Sequence, residues 1–153
     1  FNCKFLYNWE LGTTSTMIKR LFFVLCVIGS NAVCFAADNT PAAAIYAYYF
    51  HGNVRCATCH KLEQYSQEAI ENNFKDELAS GKLLFKVINV EEKENAHFID
   101  DYQLYTKALV ISRIKDGKEL RSKNLTRIWE LVGNKARFLE YVKEEVSNFL
   151  KES

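Results

Sequence analysis

The sequence predicts an α/β domain, a four-stranded mixed sheet flanked by helices in the order β-α-β-α-β-β-α. Three features point to it. Short apolar runs bounded by turn residues alternate with stretches of helical periodicity. The spacing of the first two runs suits a right-handed parallel crossover. Asp116-Gly117 marks a two-residue hairpin between the last two strands.

The first strand is read in Ile45-Tyr46-Ala47-Tyr48-Tyr49-Phe50, a nearly continuous apolar run closed by Gly52-Asn53. A helix is expected from about Thr58, with Leu62, Tyr65, Ala69, Ile70, Phe74 and Leu78 on one stripe. Gly81 stands where a helix end takes a left-handed residue. Leu83 to Val90 forms a second apolar strand, followed by the solvated Glu91-Glu92-Lys93-Glu94. A short helix around Asn95 to Tyr102 carries Phe98, Ile99 and Tyr102, and Ala108 to Ile114 is the third strand. After the hairpin a fourth strand runs antiparallel from Lys118 to Arg121. Helices over 126–132 and 135–150 close the chain, and the second directs Phe138, Val142, Val146, Phe149 and Leu150 at the core.

Ahead of this domain the chain has another character. Its only methionine, Met17, opens Met17-Ile18-Lys19-Arg20, then the apolar run Leu21 to Ile28, then Cys34-Phe35-Ala36-Ala37. A basic start, a short apolar centre and small residues make a secretory signal peptide over 17–36, cleaved after Ala36. Residues 1–16 are expected to lie upstream of the true start. Residues 37–43, with the only proline at Pro41, are expected to link into a domain over 44–151. The protein is thus expected to be exported to the periplasm or another extracytoplasmic space, and to meet a membrane only if the leader stays attached.

Cleavage removes Lys4, Lys19, Arg20 and Glu10, so that 20 basic and 19 acidic residues become 17 and 18. A near-neutral chain has no electrostatic case for a nucleic-acid partner. About 117 residues remain, enough to bury roughly two-thirds of the unfolded surface. Cys3, Cys26 and Cys34 also go, leaving Cys56 and Cys59. A domain of this size needs no disulfide staple, so the pair has another task.

Cys56-Ala57-Thr58-Cys59 follows the first strand and opens the first helix. Residues three apart in a helical turn share a face, with alpha carbons about 5 Å apart, inside the ~4.4–6.8 Å a disulfide requires. A helix start offers unpaired amide donors and partial positive charge, and both favour a thiolate. Arg55, His60 and Lys61 add positive charge nearby. Cys56, the more exposed, is expected to attack, and Cys59, one turn in, to resolve.

With these elements in this order the sequence resembles the thioredoxin superfamily over about residues 44–150. The phrase from Tyr49 to Cys59, with Asn124-Leu125 to Trp129, is similar to a narrower exported group, the nitrophenyl compound nitroreductase subunit ArsF family. The resemblance implies a thioredoxin-like fold and thiol–disulfide exchange with no dissolved cofactor. Its partners would be a protein or small-molecule thiol or disulfide, and a second partner that restores the redox state. Two positions depart from the thioredoxin pattern. Ala108 stands where thioredoxins place a cis-proline, so the Lys107–Ala108 bond is expected to be trans. Tyr48, Tyr49 and Phe50 fill the stretch where thioredoxins bury a carboxylate, which leaves proton transfer to His51, His60 or water.

Other classes compete for the same residues. A redox-inactive thioredoxin-fold binding or assembly subunit would merely pair its cysteines. Cys56 to His60 also reads as C-x-x-C-H, the attachment pattern of c-type haem, but the mature chain has no methionine as second ligand and only His51 or His97 to replace it. Zinc held by both thiolates with His60 or His97 is half a site, because there is no second cysteine pair. No metal site is therefore expected.

Overall fold

The structure, a computed structural model, describes residues 43–151. The expected leader, the residues ahead of it and 37–42 of the expected linker lie outside the described residues. Four strands and five helices follow in order. They are β1 (Ala43–His51), α1 (Ala57–Asn73), α2 (Lys75–Ala79), β2 (Leu83–Asn89), α3 (His97–Asp101), β3 (Ala108–Lys115), β4 (Lys118–Asn124), α4 (Ile128–Leu131) and α5 (Lys135–Lys151).

The strands form one sheet in the order β2-β1-β3-β4. β1 runs parallel to β2, in register from Ile45 with Leu83 to His51 with Asn89. It runs antiparallel to β3, from Ala43 with Lys115 to Phe50 with Ala108. β4 returns antiparallel along β3. This is the four-stranded mixed α/β sheet flanked by helices that the sequence predicts.

The apolar run of β1 is continuous because both faces of the strand are covered. Ile45, Ala47 and Tyr49 join a large core with Leu62, Ile70, Phe138, Val142 and other residues of α1 and α5. Tyr48 and Phe50 face the other way, into a smaller cluster with Ala108 and Val110 against Phe98 and Tyr102 at α3. Each large side chain removed from water stabilises by about 1.5–3 kcal/mol. β1 is thereby fixed on both sides, and the segment that leaves its C-terminal end starts from a rigid point.

The hairpin forms as expected. Asp116 (φ 51°) and Gly117 (φ 75°) both take left-handed backbone, the geometry of a tight two-residue turn matched to strand twist. β4 runs three residues past the expected Arg121, because its ladder with β3 continues to Asn124 opposite Val110. Its side chains are all exposed, so no apolar pattern marked the extension.

Two expected helices change. The stripe read as one helix to Gly81 breaks at Phe74 (φ −133°, ψ 43°), which sits between α1 and α2. Asn72 and Asn73 are weak helix formers, and the Asn73 side chain donates back to the Ala69 carbonyl at 2.7 Å. The break turns Phe74 into the core. The helix expected over 126–132 is a single turn, Ile128–Leu131, whose two end residues are buried. Asn134 then caps α5, accepting the Arg137 N–H at 3.2 Å.

Candidate functional site

β1 ends at His51, and the loop that follows is tied to the end of β2. The Val90 N–H donates to the His51 carbonyl at 2.9 Å, and the Asn89 side chain donates to Asn53 Oδ1 at 2.8 Å. Cys56 therefore enters α1 from an anchored loop. Its backbone is extended (φ −93°, ψ 168°), its Sγ accepts the Cys59 N–H at 3.3 Å, and its carbonyl accepts the His60 N–H at 3.1 Å. Cys56 is thus the N-cap of α1, with sulfur doing what a serine oxygen does at most caps.

The two cysteines are unpaired thiols in contrasting settings. Cys56 is exposed, and Cys59 is buried at 3% exposure. The Cys56 pKa lies below the ordinary thiol value. The main cause is the Cys59 thiol donating to Sγ; the Cys59 and Thr58 backbone N–H groups add to it, against a smaller opposing desolvation. No acidic side chain occupies the first turn of α1, so nothing there opposes an anion at the positive end of the helix.

The remaining expected site residues are only partly assembled here. Arg55 is half-buried in an ion pair with Glu63 of α1, so its guanidinium is engaged by Glu63 rather than by Cys56. His60 and Lys61 are exposed on α1. The His51 ring faces its neighbour, Nδ1 lying 3.0 Å from the Gly52 carbonyl oxygen, and the side chain lines a shallow groove with Tyr105 and Lys107. Ala108 is buried opposite Phe50, and no peptide bond among the described residues is cis, so Lys107–Ala108 is trans. The pairing of Ala108 with Phe50 puts the start of β3 at the same end of the sheet as the loop to Cys56.

Three residues of this region escaped the sequence reading. Tyr49, fully buried, donates its hydroxyl to the Cys59 carbonyl at 2.7 Å. Strand alternation was the available signal, since Tyr49 shares the helix-facing side of β1 with Ile45 and Ala47 and is the last of them before the dithiol. Glu63 lies four residues after Cys59, one turn along α1. Trp129 donates its indole N–H to the Lys107 carbonyl at 3.0 Å, and only the fold brings that pair together.

Among the described residues no group of three or more His, Cys, Asp or Glu side chains is placed to hold a metal ion. His97 is turned to the Glu94 carbonyl (Nδ1 to O, 2.9 Å), on the α3 side of the sheet. Burial of Cys59 also counts against covalent haem, which needs both sulfurs accessible. No helix among the described residues is long and apolar enough to cross a membrane.

No family model matches the chain, and no curated protein matches it. Among solved structures it is similar to the germline-specific thioredoxin Deadhead of Drosophila melanogaster, at 14% identity over 83% of this chain and 98% of that one, with a TM-score of 0.38. It is similar to the thioredoxin of Fasciola hepatica, at 20% identity over 59% of this chain and 79% of that one, with a TM-score of 0.34. A malarial protein aligns at 11% identity over 57% of this chain and 94% of that one, with a TM-score of 0.36.

Proposed function

We propose that this chain is an exported thiol–disulfide oxidoreductase of the thioredoxin-like type, working through Cys56 and Cys59. The observation that carries the reading is the contrast at the start of α1. An exposed sulfur is held by donors that favour its anion, and a buried thiol sits one turn behind it. The thiolate is the form that attacks disulfides, so Cys56 is the nucleophile.

The exchange runs in two steps. Cys56 Sγ attacks one sulfur of a substrate disulfide; a new S–S bond forms, the substrate's bond breaks, and the departing thiolate takes a proton from water. Cys59 then loses its proton to solvent, attacks Cys56 Sγ and closes the intramolecular disulfide, and the second substrate thiolate leaves. The substrate disulfide gains two electrons and the dithiol loses two. Run in reverse, the same steps oxidise a substrate dithiol. The substrate is a protein or small-molecule disulfide, and a second thiol–disulfide partner resets the pair. Export rests on the basic–apolar–small pattern of residues 17–36, and membership of the narrower ArsF group on the Tyr49 to Cys59 phrase; both belong to this proposal.

Removing the resolving thiol should trap the first step. Cys59→Ala, incubated with dithiobis(nitrobenzoate) at pH about 9, should accumulate a stable one-to-one mixed disulfide on Cys56, while the wild type passes on to its intramolecular disulfide. Alkaline pH is needed because the variant also loses the strongest donor to the Cys56 sulfur. Absence of the adduct, or its appearance in Cys56→Ala as well, would sink the assignment of roles.

A further inference from the structure

We propose that Tyr49 is a positioning residue for the second half of the exchange, its buried hydroxyl pinning the Cys59 carbonyl so that the inner sulfur stays aligned for attack on Cys56. The inference rests on the thiol–disulfide reading above and extends it to a residue outside the C-x-x-C phrase.

The bond joins two elements that the core already holds rigid. Tyr49 lies at 0% exposure among the side chains packed beneath α1, and its hydroxyl reaches the Cys59 carbonyl ten residues further on. A buried hydroxyl without a partner is strongly disfavoured, so its placement is specific. A carbonyl has two acceptor sites, and the Cys59 carbonyl can take this bond while still serving the helix ladder. The first turn of a helix frays more readily than its middle. A tether from β1 to the carbonyl of Cys59 opposes that fraying at the residue that carries the resolving sulfur.

The two steps make unequal demands on this tether. Cys56 is exposed at the cap, and its anion is stabilised by donors of the same turn. Once that sulfur is ionised, its attack needs no movement of Cys59. Resolution needs the buried Cys59 sulfur to approach Cys56 in line with the mixed disulfide while a substrate pulls on the helix start. A shift of the first turn therefore slows the second step before the first.

The chemistry of the phenol assigns it position rather than proton transfer. Burial pushes its pKa well up, and the charges of Cys59 and Cys56 push it further against the pull of Arg55. It remains protonated where the Cys56 thiol ionises, so it donates its proton in the bond to Cys59 and serves as a positioning group.

Stopped-flow mixing of the reduced protein with dithiobis(nitrobenzoate) separates the steps, since each attack releases one coloured thiolate. At a pH above the Cys56 midpoint, where the thiolate fraction no longer limits the first attack, Tyr49→Phe should leave the first release within about twofold of wild type and slow the second about tenfold. Equal slowing of both releases, or no change in either, would overturn the positioning role. A wild type that gives no second release would instead overturn the oxidoreductase reading itself. Should Tyr49→Phe not fold, 3-fluorotyrosine at position 49 keeps the ring shape and alters only donor strength. A changed second release at constant first release supports the role, and any other pattern contradicts it.

Discussion

Cys56→Ser should abolish disulfide exchange, lowering its rate by roughly three orders of magnitude or more, while leaving the fold intact. A serine hydroxyl is not ionised near neutral pH and cannot form the mixed disulfide. The substitution separates chemistry from stability because Cys56 is the N-cap of α1, and serine is among the residues best suited to that position. The capping bond to the Cys59 N–H is kept and strengthened as sulfur gives way to oxygen. Urea unfolding should therefore show stability unchanged or raised by up to about 1 kcal/mol. A redox-inactive binding subunit would show no exchange even as wild type, so exchange present in the wild type and lost in Cys56→Ser decides against that class, and exchange retained in the variant would overturn the role of Cys56.

Phe138→Ala should produce the largest loss of stability, about 3–5 kcal/mol, read by urea unfolding with Trp129 fluorescence. Phe138 lies at 0% exposure on α5, its ring meeting Tyr65 of α1 edge-on at 5.6 Å between centroids. It packs between the helix that carries the dithiol and the helix that covers it, and truncation leaves a cavity neither can fill alone. Against a total stability of about 5–15 kcal/mol for a domain, that loss is large. Leu150→Ala, at a partly buried position of the same helix, should cost less. A loss under about 1 kcal/mol at Phe138 would mean that α5 does not dock on α1 as described.

The parts of the fold legible in the sequence are those set by short-range chemistry. Asp116-Gly117 specifies its turn because both residues tolerate positive φ. The run from Ile45 to Phe50 announces a central strand because both its faces are buried. Gly81 (φ 73°) ends the helical stretch where expected. What was hidden depends on tertiary packing. The 3.6-residue stripe passes unbroken through Phe74, yet the chain turns there to bury the ring. The exposed side chains of β4 gave no sign of its full length, which only its partner strand determines. At the site the cysteine pair and its unequal exposure were readable from spacing at a helix start. The Tyr49 bond to Cys59, the Arg55 pair with Glu63 and the Trp129 bond to Lys107 were not, since each joins residues distant in sequence. The positive charge expected from Arg55 is shared with a carboxylate eight positions on.

If donors at the start of α1 favour the anion of the outer sulfur, the pH dependence of its alkylation reads that preference. With the reduced wild type and iodoacetamide, modification of Cys56 is followed by peptide mass spectrometry, Cys59 being shielded by burial. The rate follows the thiolate fraction, so it rises with pH and levels off above the folded-state pKa. Because that pKa is depressed, the same linkage stabilises the reduced fold above the unfolded thiol's pKa of ~8.5, and this contribution is lost as pH falls through the folded value. The expected result is a midpoint clearly below ~8.5, moving upward in Cys59→Ala as its donor is removed. A wild-type midpoint at or above ~8.5, unmoved by that substitution, would mean that the start of α1 does not stabilise the Cys56 thiolate.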